Sequence, residues 1–495
     1  MSRFKMKKLK SIFLGLLVVL GAIITLGSWA LSSPPGSGPD DEFHLGGIWC
    51  SHGFRMQFCE KSTNPDYLKL PLTLHRNGGP RTLFCYANNS KISASCIRGL
   101  DAQAVTKLEL TKRVFQAKSP RFYYLNGFFT SANTNAAVLT MRFFQIAIFF
   151  VLTSFAFYSS GETKWAVLLA LFVGMVPVGL FVIPSTNPSS WAIAGVFAAA
   201  ICAMNFFISK KRSHRITAIV GFVVAFLFTQ NVRSDINIMM ALCITLGLIS
   251  GFFASGKDRS VKFERAKLLR IGLTTAPLLI FIHFRIFPLD PWNLVNFISR
   301  GSFNAFANEM PLAFLGFLGG SMQLGSIDFG PQPVVLLLMT LGFATFVAIH
   351  LRFVPPEAKI AFGFGLSLVF LLSYWFSVGA IGPSSRYSLG IYLVSLAIFS
   401  SSTVTNRRLL NFRFSKASLI TIFMTISIAQ SLSLHQSIRR YVTGTNISGW
   451  DLNKGAEWWW THGPSPLSIW IIGSVAFSTA LFIVLLMSNT DRVAG

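Results

Sequence analysis

The sequence predicts an all-α integral membrane fold of about twelve spanning helices, with one large disulfide-containing loop on the outer side. Three observations predict it. Hydrophobic residues make up 52% of the chain and charged residues only 12%, with a mean hydropathy of +0.56, too apolar for a soluble protein of 495 residues. Apolar runs of spanning length recur from Ile12 to Met487, and only helices satisfy their own backbone hydrogen bonds in lipid. Four of the six cysteines fall in one long polar segment.

The spans read in order as 11–32, 135–157, 164–184, 189–208, 215–230, 235–255, 267–287, 332–351, 359–379, 388–405, 417–434 and 466–488. The first run follows a basic start and resembles a signal peptide. It is long for one, and no clear small-x-small site precedes Ser32, so it reads as a retained helix. The organisation is then 1–32, a cytoplasmic N-terminus and first span; 33–134, an outer subdomain; 135–488, the polytopic region with outer loops 288–331 and 435–465; and 489–495, a cytoplasmic tail. Within 288–331, the semi-apolar stretch Met310 to Leu324 reads as an interfacial or re-entrant helix, with an extra crossing as the alternative.

Orientation follows from charge. The formal net charge of +25 is gathered in short clusters between apolar runs, such as Lys5 to Lys10, Lys210 to Arg215, Lys257 to Lys267 and Arg407 to Lys416. An N-terminus inside puts all of them on the cytoplasmic face, as the positive-inside rule requires. Nucleic acid is excluded as a partner because no soluble basic domain carries the charge. The expected location is the cell membrane, multi-pass, with both termini cytoplasmic and the lipid bilayer as the first partner.

The first outer loop holds Cys50, Cys59, Cys85 and Cys96. An even set confined to an exoplasmic loop reads as two disulfides. Three pairings are possible, and proximity favours Cys50 with Cys59 and Cys85 with Cys96. Zinc is the competing reading, weakened by the lack of CxxC spacing. Cys202 and Cys243 lie inside helices as packing residues. Trp458, Trp459 and Trp460 in the last outer loop read as interfacial anchors, with sugar stacking as the alternative.

The densest chemistry follows the first span: Ser37-Gly-Pro39-Asp40-Asp41-Glu42-Phe-His44. Ser37 is expected to cap a short helix with Pro39 in its first turn, which puts Asp40 and His44 on one face. Crowded carboxylates beside lipid repel one another, so one has a raised pKa suited to taking a proton from a hydroxyl. Acidic decoration of a helix N-terminus is the plainer alternative.

Several segments, all on or near the expected outer face, resemble one family. They are Pro39 to His44; Arg121-Phe-Tyr-Tyr124 with Met141-Arg142; Ser185-Thr-Asn187-Pro188-Ser-Ser190; Phe314-Leu-Gly316-Phe-Leu-Gly319; and Ser385-Arg386-Tyr387. In this order the chain resembles the GT-C superfamily of membrane glycosyltransferases, and within it a group of bacterial membrane proteins of largely undefined function; the cysteine loop resembles an actinobacterial variant. The resemblance implies a GT-C-like fold and transfer of a sugar from a polyprenyl-phosphate donor to a glycan, lipid or protein acceptor at the outer face. It implies Asp40 or Asp41 as catalytic base with His44 beside it. Arg386 is first choice for the donor phosphate, with Arg142 and Arg233 next, and Glu42 and Tyr387 complete the substrate-binding set. No cofactor is certain; a divalent Mg or Mn ion is left open, with His44 as one group to help hold it. The rival classes are a lipid-linked glycan polymerase or ligase, and a transporter or flippase. The spans carry almost no mid-depth charge and no convincing repeat, which weighs against transport.

Overall fold

The computed structural model describes residues 3–53, 58–64, 67–75, 82–98, 108–112, 120–233, 235–255, 330, 332–376, 385–405, 414–460 and 463–490. The expected span 267–287, nearly all of loop 288–331 and the Phe314–Gly319 segment lie outside these residues. The described helices are α1 (Arg3–Leu31), α2 (Asp41–Trp49), α3 (Pro120–Gly127), α4 (Thr134–Ser159), α5 (Lys164–Gly174), α6 (Pro177–Val182) and α7 (Ser189–Ile208). They continue with α8 (Arg212–Thr229), α9 (Ile236–Ser255), α10 (Pro333–Leu351), α11 (Pro356–Phe376), α12 (Leu389–Thr405), α13 (Lys416–Val442) and α14 (Pro466–Thr490).

Among the described residues seven helices are long and apolar enough to cross a membrane: α1, α4, α7, α8, α10, α13 and α14. Shorter apolar segments, Ile236–Phe252 and Leu389–Val404, lie within α9 and α12. The expected span 164–184 is not one continuous helix. It breaks between α5 and α6, where Val176 is extended and Pro177 opens the next helix, because proline offers no N–H to continue the ladder. Gln430 on α13 donates to the Met175 carbonyl at 2.7 Å, satisfying a group that lipid leaves bare.

Helix α7 is the centre of the bundle, with 83% of its most apolar stretch buried, against 28% for α1 and 22% for α8. Lipid gives helices no hydrophobic reason to associate, so close contact of small residues has to hold them. Helices α7 and α9 meet this way. A Cβ on Gly247 would stand 2.2 Å from the Ala200 carbonyl oxygen, and one on Gly251 2.5 Å from that of Met204. Only glycine, four residues apart, allows this approach. Apolar side chains on the outer helices face outward instead: Leu16 is 63% exposed, Leu337 67% and Ile360 72%, a girdle suited to acyl chains.

The described residues between Ser32 and Asn133 fold on one end of the bundle, called here the loop-bearing end. Strands β1 (Glu60–Lys61), β2 (Tyr67–Pro71) and β3 (Leu108–Lys112) form an antiparallel sheet in that order, with Leu68 opposite Thr111. Cys50 is bonded to Cys59 and Cys85 to Cys96, the pairing proximity favours; Cys202 and Cys243 are free and buried. The subdomain is tied to the far end of the chain. Arg440 on α13, fully buried, donates to the carbonyls of Tyr86, Asn89 and Ile92, and Ala94 N–H donates to the Tyr441 carbonyl at 2.8 Å.

Candidate active site

The chain leaving α1 does not rise into solvent. Residues 32–39 are all buried, so every polar backbone group there needs a partner. Arg142 on α4 supplies two of them and binds two further groups beside them. Its Nη1 donates to the carbonyls of Ala30 and Ser33 at 2.7 and 2.6 Å, and its Nη2 to the Pro34 carbonyl at 2.7 Å and to Ser37 Oγ at 3.2 Å. Tyr86 donates its hydroxyl to the Pro35 carbonyl, and Asn187 its amide to that of Pro39. Arg142, 1% exposed, therefore braces the turn. The substrate contact expected of it from sequence does not fit this geometry.

Helix α2 starts one residue later than its acidic run. The N-cap is Asp40, not Ser37, whose hydroxyl is taken by Arg142. Asp40 has φ 59° and ψ 19°, the left-handed conformation, and its carboxylate makes no capping bond. An ordinary N-cap aspartate is extended and bonds the N–H groups of the first turn. The left-handed backbone, which aspartate tolerates better than most residues, turns this carboxylate away from the helix instead.

The two aspartates consequently have different surroundings. Asp41 is wholly buried. Its Oδ2 accepts from Gly38 N–H at 2.8 Å and its Oδ1 from the Thr186 hydroxyl at 2.5 Å. A Cβ on Gly38 would lie 2.6 Å from that carboxylate, so the bond to Gly38 depends on a glycine there. Burial raises the Asp41 pKa, while Arg142, Thr186 and Gly38 pull it back. Asp41 is thus the carboxylate with the raised pKa, yet no acceptor hydroxyl can reach it. Asp40 is 30% exposed, and its Oδ2 lies 2.6 Å from Arg386 Nη2. Of the pair expected from sequence, Asp40 is the one left partly open to solvent.

Around Asp40 the structure gathers side chains from four parts of the chain. Arg386, in the 3-10 turn Ser385–Tyr387, is 4% exposed. Burial opposes its charge, but the Asp40 carboxylate and the Tyr387 hydroxyl outweigh it and raise its pKa. Its Nη2 also donates to the Tyr387 hydroxyl at 3.0 Å, while its buried Nε has no acceptor among the described residues. Tyr387 lies under both guanidiniums, 4.2 Å from Arg233 and 4.9 Å from Arg386, a pair of cation–π contacts. Arg233 is held by Asp235 and donates to Ser189 Oγ at 3.1 Å. His44 Nδ1 hydrogen-bonds the Tyr123 hydroxyl at 3.0 Å. Burial lowers the His44 pKa to about 4, with Asp40 opposing and Arg386 and Arg233 adding to the shift. Glu42 sits half-buried in the first turn of α2, where its charge suits the helix dipole.

Asp40, His44, Arg233, Arg386 and Tyr387 form one site, while Arg142 and Asp41 support it from below. Tyr123, Thr186, Asn187 and Asp235 were not expected as site residues. The first three lay inside the Arg121–Tyr124 and Ser185–Ser190 segments, so their signal was present without a role attached. Among the described residues no three His, Cys, Asp or Glu side chains come together as a metal-binding group. Near Asp40, Oδ2 of Asp40 faces a guanidinium and both Asp41 oxygens accept hydrogen bonds.

Residues 23–309, more than half of the chain, match the model of a family described as Predicted membrane protein (DUF2142). The chain belongs to this family. For DUF2142 the matched region runs from α1 through the acidic turn, the subdomain, the Ser185–Ser190 turn and Arg233, and stops short of Arg386. No curated protein and no solved structure matches the chain.

Proposed function

We propose that this protein is a membrane glycosyltransferase, moving a sugar from a polyprenyl-phosphate donor to a hydroxyl of a cell-envelope acceptor at the outer face of the membrane. The observation that carries the reading is the Asp40–Arg386 pair: a partly exposed carboxylate held against a buried guanidinium, beside a second guanidinium, at the membrane end of a long polar loop. The positive-inside distribution of the basic clusters supports assigning that end to the outside.

In this reading the donor phosphate displaces Asp40 from Arg386. It takes Nη2 and the otherwise unpaired Nε in the forked geometry guanidinium offers to phosphate, with Arg233 adjoining. Asp40, released and exposed, accepts the proton of the acceptor hydroxyl as its oxygen bonds to the anomeric carbon. The bond from that carbon to the phosphate oxygen breaks, and the lipid phosphate departs with the electron pair, its charge met by the arginines. Tyr387 keeps the two guanidiniums apart and oriented. His44, uncharged near neutral pH, adds no competing cation, and Tyr123 fixes its ring.

The test is a transfer assay in membranes with radiolabelled polyprenyl-phosphate sugars, comparing wild type with Asp40→Asn. Asparagine also tolerates the left-handed backbone, so the variant isolates loss of the base. A positioned base contributes roughly 10²–10⁴-fold, and turnover should fall by that factor at equal protein level. Wild-type turnover in Asp40→Asn would sink the assignment, and no transfer from any such donor by wild type would sink the activity.

A further inference from the structure

A cavity of about 390 Å³ lies between α1, α4, α5 and α14, away from the acidic site. Along α1 it runs from Ser11 to Leu26, about 22 Å at the rise of an α-helix. Its wall is apolar, and it opens sideways: Leu16 and Ile12, which line it, are 63% and 52% exposed. In a helix packed against others, such exposure faces the hydrocarbon of the bilayer.

The two ends of the groove differ. At the end remote from the loops, Lys164 lines it together with Ser11 and Ser154, and the ammonium stands 5.9 Å from the Phe157 ring and 5.7 Å from that of Trp165. Aromatic faces hold a cation without neutralising it, and among the described residues no carboxylate pairs with it. Lys211 adds a second positive charge nearby, and with burial and Lys164 it holds the His214 pKa below the usual histidine range against the pull of Glu162; Glu162, two residues before Lys164, is exposed. At the other end the lining is Leu26, Met175 and Leu180, and Thr25 spends its hydroxyl on the Gly21 carbonyl at 2.7 Å. The groove thus asks for a long alkyl chain with an anionic head at the Lys164 end only.

We infer that it is a binding site for an anionic glycerophospholipid, taken from the leaflet opposite the acidic site, with one acyl chain along α1 and the headgroup phosphate on Lys164. This ligand is distinct from the proposed donor, whose phosphate belongs at the loop-bearing end. The inference stands whether or not the protein transfers sugar.

Native mass spectrometry of the detergent-purified protein, titrated with phosphatidylglycerol or phosphatidylcholine, tests it. Wild type should hold one phosphatidylglycerol at least tenfold more tightly than phosphatidylcholine. Lys164→Ala should remove that preference, and Lys164→Gln should do the same while keeping most of the side chain's length and its polarity. A Cβ on Gly15, which lines the groove, meets nothing within 4 Å, so Gly15→Phe has room to enter it and should lower occupancy by both lipids. Equal binding of the two lipids by wild type, or unchanged phosphatidylglycerol binding in Gly15→Phe, would show ordinary boundary lipid and overturn the inference.

Discussion

The Nη2 atom of Arg386 sits 2.6 Å from the Asp40 Oδ2 atom, joining residues 346 positions apart. One lies on the first turn after α1, the other just before α12. The pair ties the turn after α1 to the turn before α12, and its neighbours explain what each side chain is free to do.

Arg386→Lys keeps the charge and loses the planar fork, while Arg386→Ala loses both. We expect donor KM to rise in each, and kcat to fall as well if the contact tightens when the phosphate departs. Removing one preorganised charge stabiliser costs on the order of 10²–10³ in rate. Steady-state transfer kinetics read both parameters, and wild-type values in Arg386→Ala would make this residue a lipid-headgroup anchor.

Arg142 should matter through the fold. Arg142→Met keeps the stem but leaves three buried carbonyls without donors, at about 1–3 kcal/mol for each unsatisfied group. The expected outcome is a large drop in thermal midpoint measured in detergent, with Arg142→Lys recovering part of it. A variant of native stability whose donor KM is raised would return Arg142 to the substrate.

Folded His44 gains its proton only near pH 4, whereas an ordinary histidine titrates near 6.5. Between those values the unfolded chain binds more protons than the folded one, so stability falls as pH drops through this window and levels off below it. The loss is on the order of 3 kcal/mol. Thermal unfolding followed from pH 7 to pH 4 should show a steeper decline for wild type than for His44→Gln, and parallel curves would contradict the burial of this ring.

Cys50, Cys59, Cys85 and Cys96 should resist alkylation in intact membranes until a reductant is added, with the two bonds contributing about 2–4 kcal/mol each. Mass spectrometry finding four free thiols would overturn both the bonds and the oxidising compartment.

Single cysteines at Ser213 and Asn446, both exposed, should react with impermeant reagents from opposite sides, Ser213 from the cytoplasm. Reaction of both from one side would break the proposed topology.

The helices around the bundle were legible because apolar length is a local property, and Ile12 to Leu31 or Ser189 to Ile208 announce themselves without their neighbours. The acidic motif was legible for the same reason. Its division of labour was not. Asp40 and Asp41 are chemically identical in sequence; what separates them is the left-handed turn at Asp40 and the hydroxyl of Thr186, 145 residues away. Arg142 and Arg386 likewise read alike, and only the buried carbonyls of Ala30, Ser33 and Pro34 turn the first into a brace. The break at Met175 was hidden because Pro177 sits within an otherwise unbroken apolar run, its cost met by Gln430 from another helix.

The bonds from Arg440 and Tyr441 to residues 86–94 set an order on biosynthesis. The cysteine-bearing segment is translated early, yet its carbonyls at Tyr86, Asn89 and Ile92 find their donor only when α13 has been made, some 350 residues later. Until then the segment waits without its final partner, a burden typical of contacts far apart in sequence. A chain halted before α13 therefore carries a loop that cannot finish folding, and quality-control proteases should meet such fragments at the loop before they meet the helices.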